Sequence, residues 1–355
     1  MLVTRQPVLR RFWYALFPVT DLDDGPKPFT LLGEHIVVWK KSDGSPAAAR
    51  DRCCHRTARL SKGWVEGDHI VCGYHGWQYD CSGACVKIPQ LGTEHKIPAG
   101  ARITAYHCQA RYGYVWVALD DPLRDIPDFP EDGQPGYRRI FQLYETWRST
   151  PMRLMENSFD NSHFSFVHKG TFGDLDNPLP STYDIEETDY GFEARQSVSI
   201  LNPPQAHDVT GSTEARVTRH MVNRYYLPFC RRMGVSYDSG IDHMVYNCAT
   251  PIDDERMVLV QWLYRNDTEQ DCSTQKLIDW DTRVTREDKD ILEATDHDVC
   301  MDTRRKEEFH MPSDKPGLII RKQILALLAE HGEQEVFRSA LPPIVAAPAR
   351  HTQEA

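Results

Sequence analysis

The chain has 355 residues, of which 40% are hydrophobic and 26% are charged, and these values are typical of a globular protein with about two domains. A formal net charge of −11 argues against a nucleic-acid-binding surface, which would be basic. No apolar run approaches the roughly 20 residues of a membrane-spanning helix. The aromatic run 12–17 is too short for a secretory signal, and no small-residue cleavage site follows it. We therefore expect a cytoplasmic protein with no membrane or nucleic-acid partner.

Short strand-like runs dominate the first third of the chain, for example 35–39 and 114–119. The segment 120–136 then contains four prolines and five aspartates, a composition typical of a linker. We therefore expect an N-terminal β domain over 8–120 and a linker over 121–139.

Beyond this linker the pattern predicts a mixed α+β domain over 140–340. The predicted elements are a helix at 152–168, strands at 192–201, 244–247 and 257–264, a long helix from 274 to beyond 294, and a helix at 318–331. The segment 341–355 is rich in proline and alanine, and we expect a flexible tail there.

Two mixed cysteine and histidine pairs lie in the N-terminal part. Cys53 and His55 are spaced C-x-H, Cys72 and His75 are spaced C-x-x-H, and sixteen residues separate the two pairs. A Rieske [2Fe–2S] centre needs two cysteines on one iron and two histidines on the other, and each pair offers one of each. Cys54 is the alternative to Cys53, but it adjoins His55, so the two side chains would not easily reach different irons. A structural zinc site is a second alternative, although such sites usually pair cysteine with cysteine.

The segments 52–56 and 72–80, with Gly83, resemble the Rieske domain of ring-hydroxylating and demethylating oxygenases. Respiratory Rieske proteins carry one further cysteine in each loop, and this chain has none at 56–58 or at Tyr74. The resemblance therefore favours the oxygenase branch. Gly73 stands where that family more often has proline, and we expect it to loosen the loop slightly.

A second motif begins at Asn157 and reads Asn-x-x-Asp-x-x-His-x₄-His. On a straight helix, residues five apart point about 140° away from each other, so a helix must end or distort between His163 and His168 if both bind one metal. The motif resembles the mononuclear iron motif of Rieske oxygenases. This resemblance implies that both histidines belong to a 2-His-1-carboxylate triad, which leaves open positions on Fe(II) for O₂.

The third ligand should be a distant carboxylate, and the segment 285–293 offers several. Asp288 shares a helical face with apolar residues at 284, 291 and 292, and a buried charge needs a partner or a metal. Asp290 lies on a polar face, and Glu287 is intermediate. We therefore assign Asp288, in agreement with the position of the third ligand in demethylase-like relatives. A buried aspartate satisfied by hydrogen bonds is the alternative.

The resemblance also implies roles for two residues that precede the histidines. Asp160 corresponds to the carboxylate that bridges to the cluster histidine of a neighbouring subunit, here His75, and that carries electrons across the interface. Without the resemblance, an aspartate on a helix surface would be the simpler interpretation. Asn157 is expected near the iron.

No G-x-G-x-x-G dinucleotide fingerprint follows a predicted strand, so we expect electrons to come from a separate reductase or ferredoxin, which alone uses NAD(P)H. The resemblance implies an α+β fold: an all-β Rieske [2Fe–2S] domain, then a helix-grip (START/Bet v 1-like) domain with an antiparallel sheet. It also implies a homotrimer. Between 170 and 270 the pattern does not separate pocket residues from core, so His207, His220, His243 and the aromatic residues there stay unassigned.

The function that these expectations favour is that of a terminal oxygenase. It would use O₂ to hydroxylate or oxidatively demethylate a small aromatic or heterocyclic substrate. One alternative is an aromatic-ring cis-dihydroxylating dioxygenase. Another is a Rieske electron-transfer protein without oxygenase activity, which would lack an intact iron triad.

Overall fold

The structure is a computed structural model that describes residues 1–92, 96–298 and 300–338. The fold is α+β, as expected, with antiparallel sheets throughout and long helices in the second half only. No helix of the described part is long and apolar enough to cross a membrane. The tail expected at 341–355 lies outside the described residues.

The N-terminal part contains two antiparallel sheets. One has six strands in the order β1-β10-β9-β4-β3-β2, and the smaller one has the order β5-β6-β7-β8. In chain order, strands β1 to β10 are Tyr14–Pro18, Lys27–Leu31, Glu34–Lys40, Pro46–Arg50, Trp64–Glu66, His69–Val71, Gln78–Tyr79, Cys85–Lys87, Ala105–Arg111 and Tyr114–Ala118.

Both faces of β3 are buried, because successive side chains of a strand point to opposite faces. Ile36 and Val38 pack in a core that includes buried residues from 152–159 and 320–328 in the C-terminal part. Val37 and Trp39 pack towards the smaller sheet and the cysteines of its loops. The six-stranded sheet thus joins the two halves of the molecule.

The C-terminal part is a seven-stranded antiparallel sheet with helices. Its order is β11-β17-β16-β15-β14-β13-β12. Strands β11 to β17 are Arg138–Trp147, Asp184–Glu187, Gly191–Leu201, Arg216–Tyr226, Cys230–Tyr237, Asp242–Pro251 and Met257–Arg265. Helices α1 to α5 are Pro151–Ser158, Phe164–Val167, His207–Thr210, Thr274–Leu292 and Lys315–Glu330.

The centre of this sheet is buried on both faces. Val245 and Leu263 pack against Leu277 and Trp280 of α4. Their neighbours in β16 and β17 face the other way, towards Tyr114 and Trp116 of the N-terminal sheet. Burial on both sides explains why β17 is buried throughout its length. Helix α4 therefore lies across one face of the sheet, and the iron motif lies at its C-terminal half.

The helix expected at 152–168 is two helices with a break at 159–163. The carboxylate of Asp160 accepts the backbone N–H groups of Ser162 and His163, and this local turn competes with helix continuation. Helix α2 then ends at Val167, so a helix end does separate the two histidines as the spacing required. The long helix α4 ends at Leu292 and does not extend past 294.

Candidate metal centres

The structure brings the four predicted cluster residues together. Cys53 and Cys72 are both buried, and their sulfur atoms are close enough to interact through a hydrogen bond. The rings of His55 and His75 have centroids 4.6 Å apart, with His55 exposed and His75 half-buried. Thiols on the inside and imidazoles on the outside form the donor set of a Rieske centre.

The surroundings of these residues also fit a cluster. Burial raises the pKa of the Cys72 thiol, while the backbone N–H groups of Tyr74 and His75 donate to its sulfur. Such N–H donors stabilise a metal-bound thiolate and tune the potential of a cluster. Trp77 stacks on His55 at 4.6 Å and fixes its ring. Cys54 is exposed, and this position supports the choice of Cys53.

The two cluster loops approach each other closely at a pair of glycines. A Cβ atom on Gly73 would lie 2.9 Å from the carbonyl oxygen of Lys62, and one on Gly63 would lie 1.8 Å from that of Val71. Real Cβ atoms do not come this near to backbone oxygen. The glycine at 73 thus allows tight packing of the second loop against the first.

The structure also brings His163, His168 and Asp288 together. One ligand atom from each lies within 4.8 Å of the other two. The Nε2 atoms of His163 and His168 are 3.5 and 3.4 Å from Asp288 Oδ1. That oxygen is buried and has no hydrogen-bond partner among the described residues. An unpartnered buried carboxylate oxygen facing two imidazole nitrogens fits a facial iron site.

Each of these histidines is oriented by a carboxylate on its far side. His163 Nδ1 lies 2.9 Å from Asp160 Oδ2, and His168 Nδ1 lies 3.0 Å from Glu287 Oε2. A proton on Nδ1 that donates to the carboxylate leaves the lone pair of Nε2 free for a metal. Burial alone would raise the pKa of Asp160, but the hydrogen bond and charge of His163 outweigh it and hold that pKa below its ordinary value.

Glu287 was missed as a site residue. It also accepts a hydrogen bond of 2.7 Å from Thr171 Oγ1, so it ties α4 to the segment after α2. Its partners are more than a hundred positions away along the chain. Only the adjacency of Glu287 to Asp288 could have suggested it.

A cavity of about 90 Å³ adjoins the iron triad. A water molecule needs only about 10–15 Å³ on the same measure, so the cavity suits a small molecule. Asn157 and His243 line it together with His163, whereas His207 and His220 do not. The remaining lining residues that matter below come from β14 to β17 and α4: Arg219, Asn223, Arg231, Asn247, Gln261 and Asp281.

A mixed cysteine–histidine cluster site followed by a facial two-histidine, one-carboxylate site defines the class of Rieske non-haem iron oxygenases. Comparison with known proteins agrees with that class. Residues 12–106 match the Rieske [2Fe–2S] domain family, and residues 147–330 match the vanillate O-demethylase oxygenase C-terminal domain family. The chain belongs to the Rieske oxygenases, with a C-terminal domain of the vanillate O-demethylase type.

Among curated proteins, methylxanthine N1-demethylase NdmA of Pseudomonas putida is 32% identical over 94% of this chain and 93% of its own. Methylxanthine N3-demethylase NdmB of the same organism is 28% identical over 94% of each chain. The solved structure of NdmA superposes with a TM-score of 0.80 at 29% identity, covering 93% of this chain and 94% of that one. Dicamba monooxygenase, at 21% identity and a TM-score of 0.79, shares the fold over 91% of this chain and 98% of its own.

These findings confirm the enzyme class and its cofactors. The Rieske domain implies a [2Fe–2S] cluster, and the family uses a mononuclear iron with electrons from an external reductase. Relatives of this chain include methylxanthine and dehydrodivanillate demethylases and a putative toluene-4-sulfonate monooxygenase subunit.

Proposed function

We propose that this chain hydroxylates or oxidatively demethylates a small organic substrate at an iron held by His163, His168 and Asp288. The observation that carries the proposal is the convergence of these three ligand atoms within 4.8 Å beside a small cavity. An electron-transfer protein would have no use for an assembled triad facing a cavity. Cys53, His55, Cys72 and His75 are the proposed cluster ligands.

When bound, the iron supplies the reductive activation of O₂ with electrons relayed from the cluster. The side chains of the protein orient the iron ligands and limit the access of water. Asp160 and Glu287 keep the two imidazole rings in the orientation that binds metal. Phe164 and Phe172 line the cavity beside the histidines and limit the access of water.

We further propose that electrons cross between subunits of a homotrimer, from His75 of one chain to Asp160 of the next. Asp160 is 28% exposed although it bonds His163, so one side of its carboxylate is available to another molecule. It lines a surface pocket together with Ile291 and Phe309, which are 50% and 100% exposed. Exposed apolar residues around a buried site are typical of a protein–protein interface.

We propose that residues 8–120 form the Rieske domain, residues 121–139 form a linker and residues 140–340 form the catalytic domain. We propose a cytoplasmic enzyme that receives electrons from a separate reductase or ferredoxin. Small-molecule substrate and O₂ are its remaining partners.

Reconstitution with a surrogate reductase and NADH tests the proposed reaction. Caffeine and vanillate are suitable first substrates, because relatives of this chain demethylate methylxanthines and methoxyaromatics. Formaldehyde formed together with substrate-dependent O₂ uptake would identify a demethylase, and a cis-diol would identify the dioxygenase alternative. A fully iron-loaded protein that is reduced by the reductase and consumes no O₂ with any of a panel of aromatic and heterocyclic compounds would contradict the proposal.

The variant Asp160→Asn tests the route of the electrons. Because an amide lacks the negative charge that pairs with imidazole, we expect oxidation of the reduced cluster by the iron site to slow by about tenfold or more. The measurement is single-turnover decay of the reduced-cluster absorbance. Asp290→Asn, at an exposed position of α4, is the control. Light scattering should give three times the 40.9 kDa chain mass, and a monomer that still turns over would rule out transfer between subunits.

A further inference from the structure

The cavity beside the iron triad contains an amide group with no partner. Asn223 on β14 is 1% exposed, and neither its Oδ1 nor its Nδ2 makes a hydrogen bond within the described part of the chain. Leaving both atoms of a buried amide unpaired costs roughly 1–3 kcal/mol per group. Since Asn223 lines the cavity, its natural partner is a bound ligand.

Arg231 on β15 is the neighbour of Asn223 in this cavity. In the sheet Asn223 pairs with Met233 and Arg231 pairs with Tyr225, so the two residues are diagonal neighbours on adjacent strands. Diagonal positions are about 7–8 Å apart, within the reach of a long side chain. Burial lowers the pKa of Arg231 to about 10, because the cation is costly where water is scarce.

The guanidinium of Arg231 is held in place by neutral acceptors only. It donates to Asn247 Oδ1 at 2.5 and 3.1 Å and to the carbonyl oxygen of Ser158 at 2.8 Å. No carboxylate of the described residues lies within ion-pair distance of it. An arginine has five N–H donors, so some remain free to face the cavity.

A chain of hydrogen bonds fixes the orientation of Arg231. Asn247 Nδ2 donates to Gln261 Oε1 at 2.5 Å, and Gln261 Nε2 donates to Gln142 Oε1 at 2.8 Å. Gln142 in turn donates to Asp281, which also faces His243 Nε2 at 3.1 Å. In each of these three side-chain amides, both the oxygen and the nitrogen already make a hydrogen bond. Among the described residues that line the cavity, free hydrogen-bonding groups therefore remain at Arg231, at Asn223 and at the unpartnered indole N–H of Trp147.

The charged side chains that line the cavity also favour an anionic ligand. Two arginines and two aspartates face it. One aspartate is Asp288, whose charge a divalent iron more than offsets, and the other is Asp281, which is held by Gln142 and His243. Arg219 is four residues from Asn223 on β14, stacks on Phe172 and donates to Tyr237. Among the described residues, neither Arg219 nor Arg231 forms an ion pair with a carboxylate, so both positive charges of the cavity are available to an anionic ligand.

We propose that the substrate is a small ring compound with a carboxylate, which Arg231 and Asn223 bind together. One carboxylate oxygen accepts from Arg231, and the other accepts from Asn223 Nδ2. This inference rests on the proposed function and names the substrate class of that site. It assigns Arg231 and Asn223 as specificity-determining residues, with the rest of the ring directed towards the iron.

Anaerobic calorimetry with sodium benzoate and with benzamide tests this proposal on the purified, iron-loaded protein. The two probes have nearly the same shape and differ in charge. We expect benzoate to bind about tenfold more tightly than benzamide, a difference of about 1.4 kcal/mol. Equal affinity of the two probes, or tighter binding of benzamide, would overturn the proposal in favour of a neutral substrate. This comparison needs no variant, so it does not depend on a mutant that folds.

Variants of Arg231 and Asn223 then test whether these two residues bind the carboxylate. Arg231→Gln should weaken benzoate binding by about tenfold and leave benzamide within about twofold, and Asn223→Leu should also weaken benzoate binding. Arg224→Gln is the matched control, because Arg224 is next to Asn223 on the opposite face of β14 and pairs with Glu193. Unchanged benzoate affinity in a folded Arg231→Gln protein would overturn the assignment.

The iron content of the same preparations separates this inference from the proposed function. Protein that prefers benzoate through Arg231 but retains no iron at His163 would uphold the anion site and contradict the oxygenase. Protein with full iron and no preference for benzoate would contradict the anion site alone.

Discussion

Glu287 does for His168 what Asp160 does for His163, since each carboxylate fixes the ring by accepting from Nδ1. Without this partner the imidazole of His168 would be free to rotate or to protonate at the wrong nitrogen. Removing such a partner of a metal ligand typically weakens metal affinity about 10–100-fold. We therefore expect Glu287→Ala to lose iron at a chelator concentration that leaves the parent protein loaded.

The measurement is iron retained per chain during titration with a chelator, with the cluster absorbance as an internal reference. Asp290→Ala is the control, because Asp290 lies on the exposed face of the same helix. Equal chelator resistance of Glu287→Ala and the parent would show that His168 needs no such support.

For single residues, the spacing in the sequence identified those candidate metal ligands that lie together in one short segment. Cys53, His55, His163 and His168 stand in local motifs, and the helical face of Asp288 separated it from Asp290. Asn223, Arg231 and Glu287 could not be found in this way. Their roles depend on strand register and on contacts between distant segments, which no local pattern contains.

Helix α2 is a single turn that places His163 at its start and His168 at its end. The turn is held in position by Gly173. A Cβ atom at 173 would lie 2.4 Å from the carbonyl oxygen of Phe164 and 2.7 Å from the carbonyl carbon of His168. We expect Gly173→Ala to displace α2 and to weaken the iron site, at a cost of about 1–3 kcal/mol in stability.

Chelator resistance and thermal unfolding of Gly173→Ala would be compared with those of Gly100→Ala. Gly100 has open space around its missing Cβ and no left-handed backbone, so its variant should behave as the parent does. A Gly173→Ala protein with parental iron affinity would show that α2 tolerates the displacement.

At the scale of elements, the patterns of apolar residues located the long helices and the strands 192–201 and 257–264 to within a few residues. They failed at 152–168, where a continuous helix was expected. The hydrogen bonds from Asp160 to the backbone interrupt that helix, and they arise from a polar side chain that the apolar pattern does not take into account.

In the molecule as a whole, a buried ion pair connects the segment before β11 to the seven-stranded sheet. Glu131 is 5% exposed and pairs with Arg232 of β15 and with Tyr246 of β16. Burial alone would raise the pKa of Glu131, but the hydrogen bond and charge of Arg232 outweigh burial and hold that pKa below its ordinary value. The pair therefore stabilises the fold above the unfolded-state pKa of Glu131 and loses its contribution as pH falls through the lower folded-state pKa.

Arg232→Met leaves Glu131 buried without a counter-charge, and we expect it to lower the free energy of unfolding by about 3–5 kcal/mol near neutral pH. The difference from the parent should shrink as pH falls towards about 4, because the uncompensated carboxyl can then protonate. Urea unfolding at several pH values measures this change. Arg256→Met, which breaks the more exposed pair with Asp253, should cost under about 1 kcal/mol. A constant difference across pH would contradict the assigned role of Glu131.

The order of the two halves and the α+β class were predictable, because cluster motif, proline-rich segment and iron motif follow one another along the chain. The packing of the six-stranded sheet that joins the two halves was not predictable from the sequence. Its strands β1, β3, β4 and β10 are buried on both faces, so they lack the alternation that reveals which face meets which neighbour.

The most direct test of the two metal sites is the metal content of anaerobically purified protein, with electron paramagnetic resonance of the reduced form. If both metal sites are as proposed, the protein should contain about three irons and two acid-labile sulfides per chain. His163→Ala should lose one iron and keep the cluster signal, and Cys72→Ala should lose the cluster signal. Two irons in the parent with no change in His163→Ala would leave an electron carrier, and zinc without sulfide would contradict both metal sites.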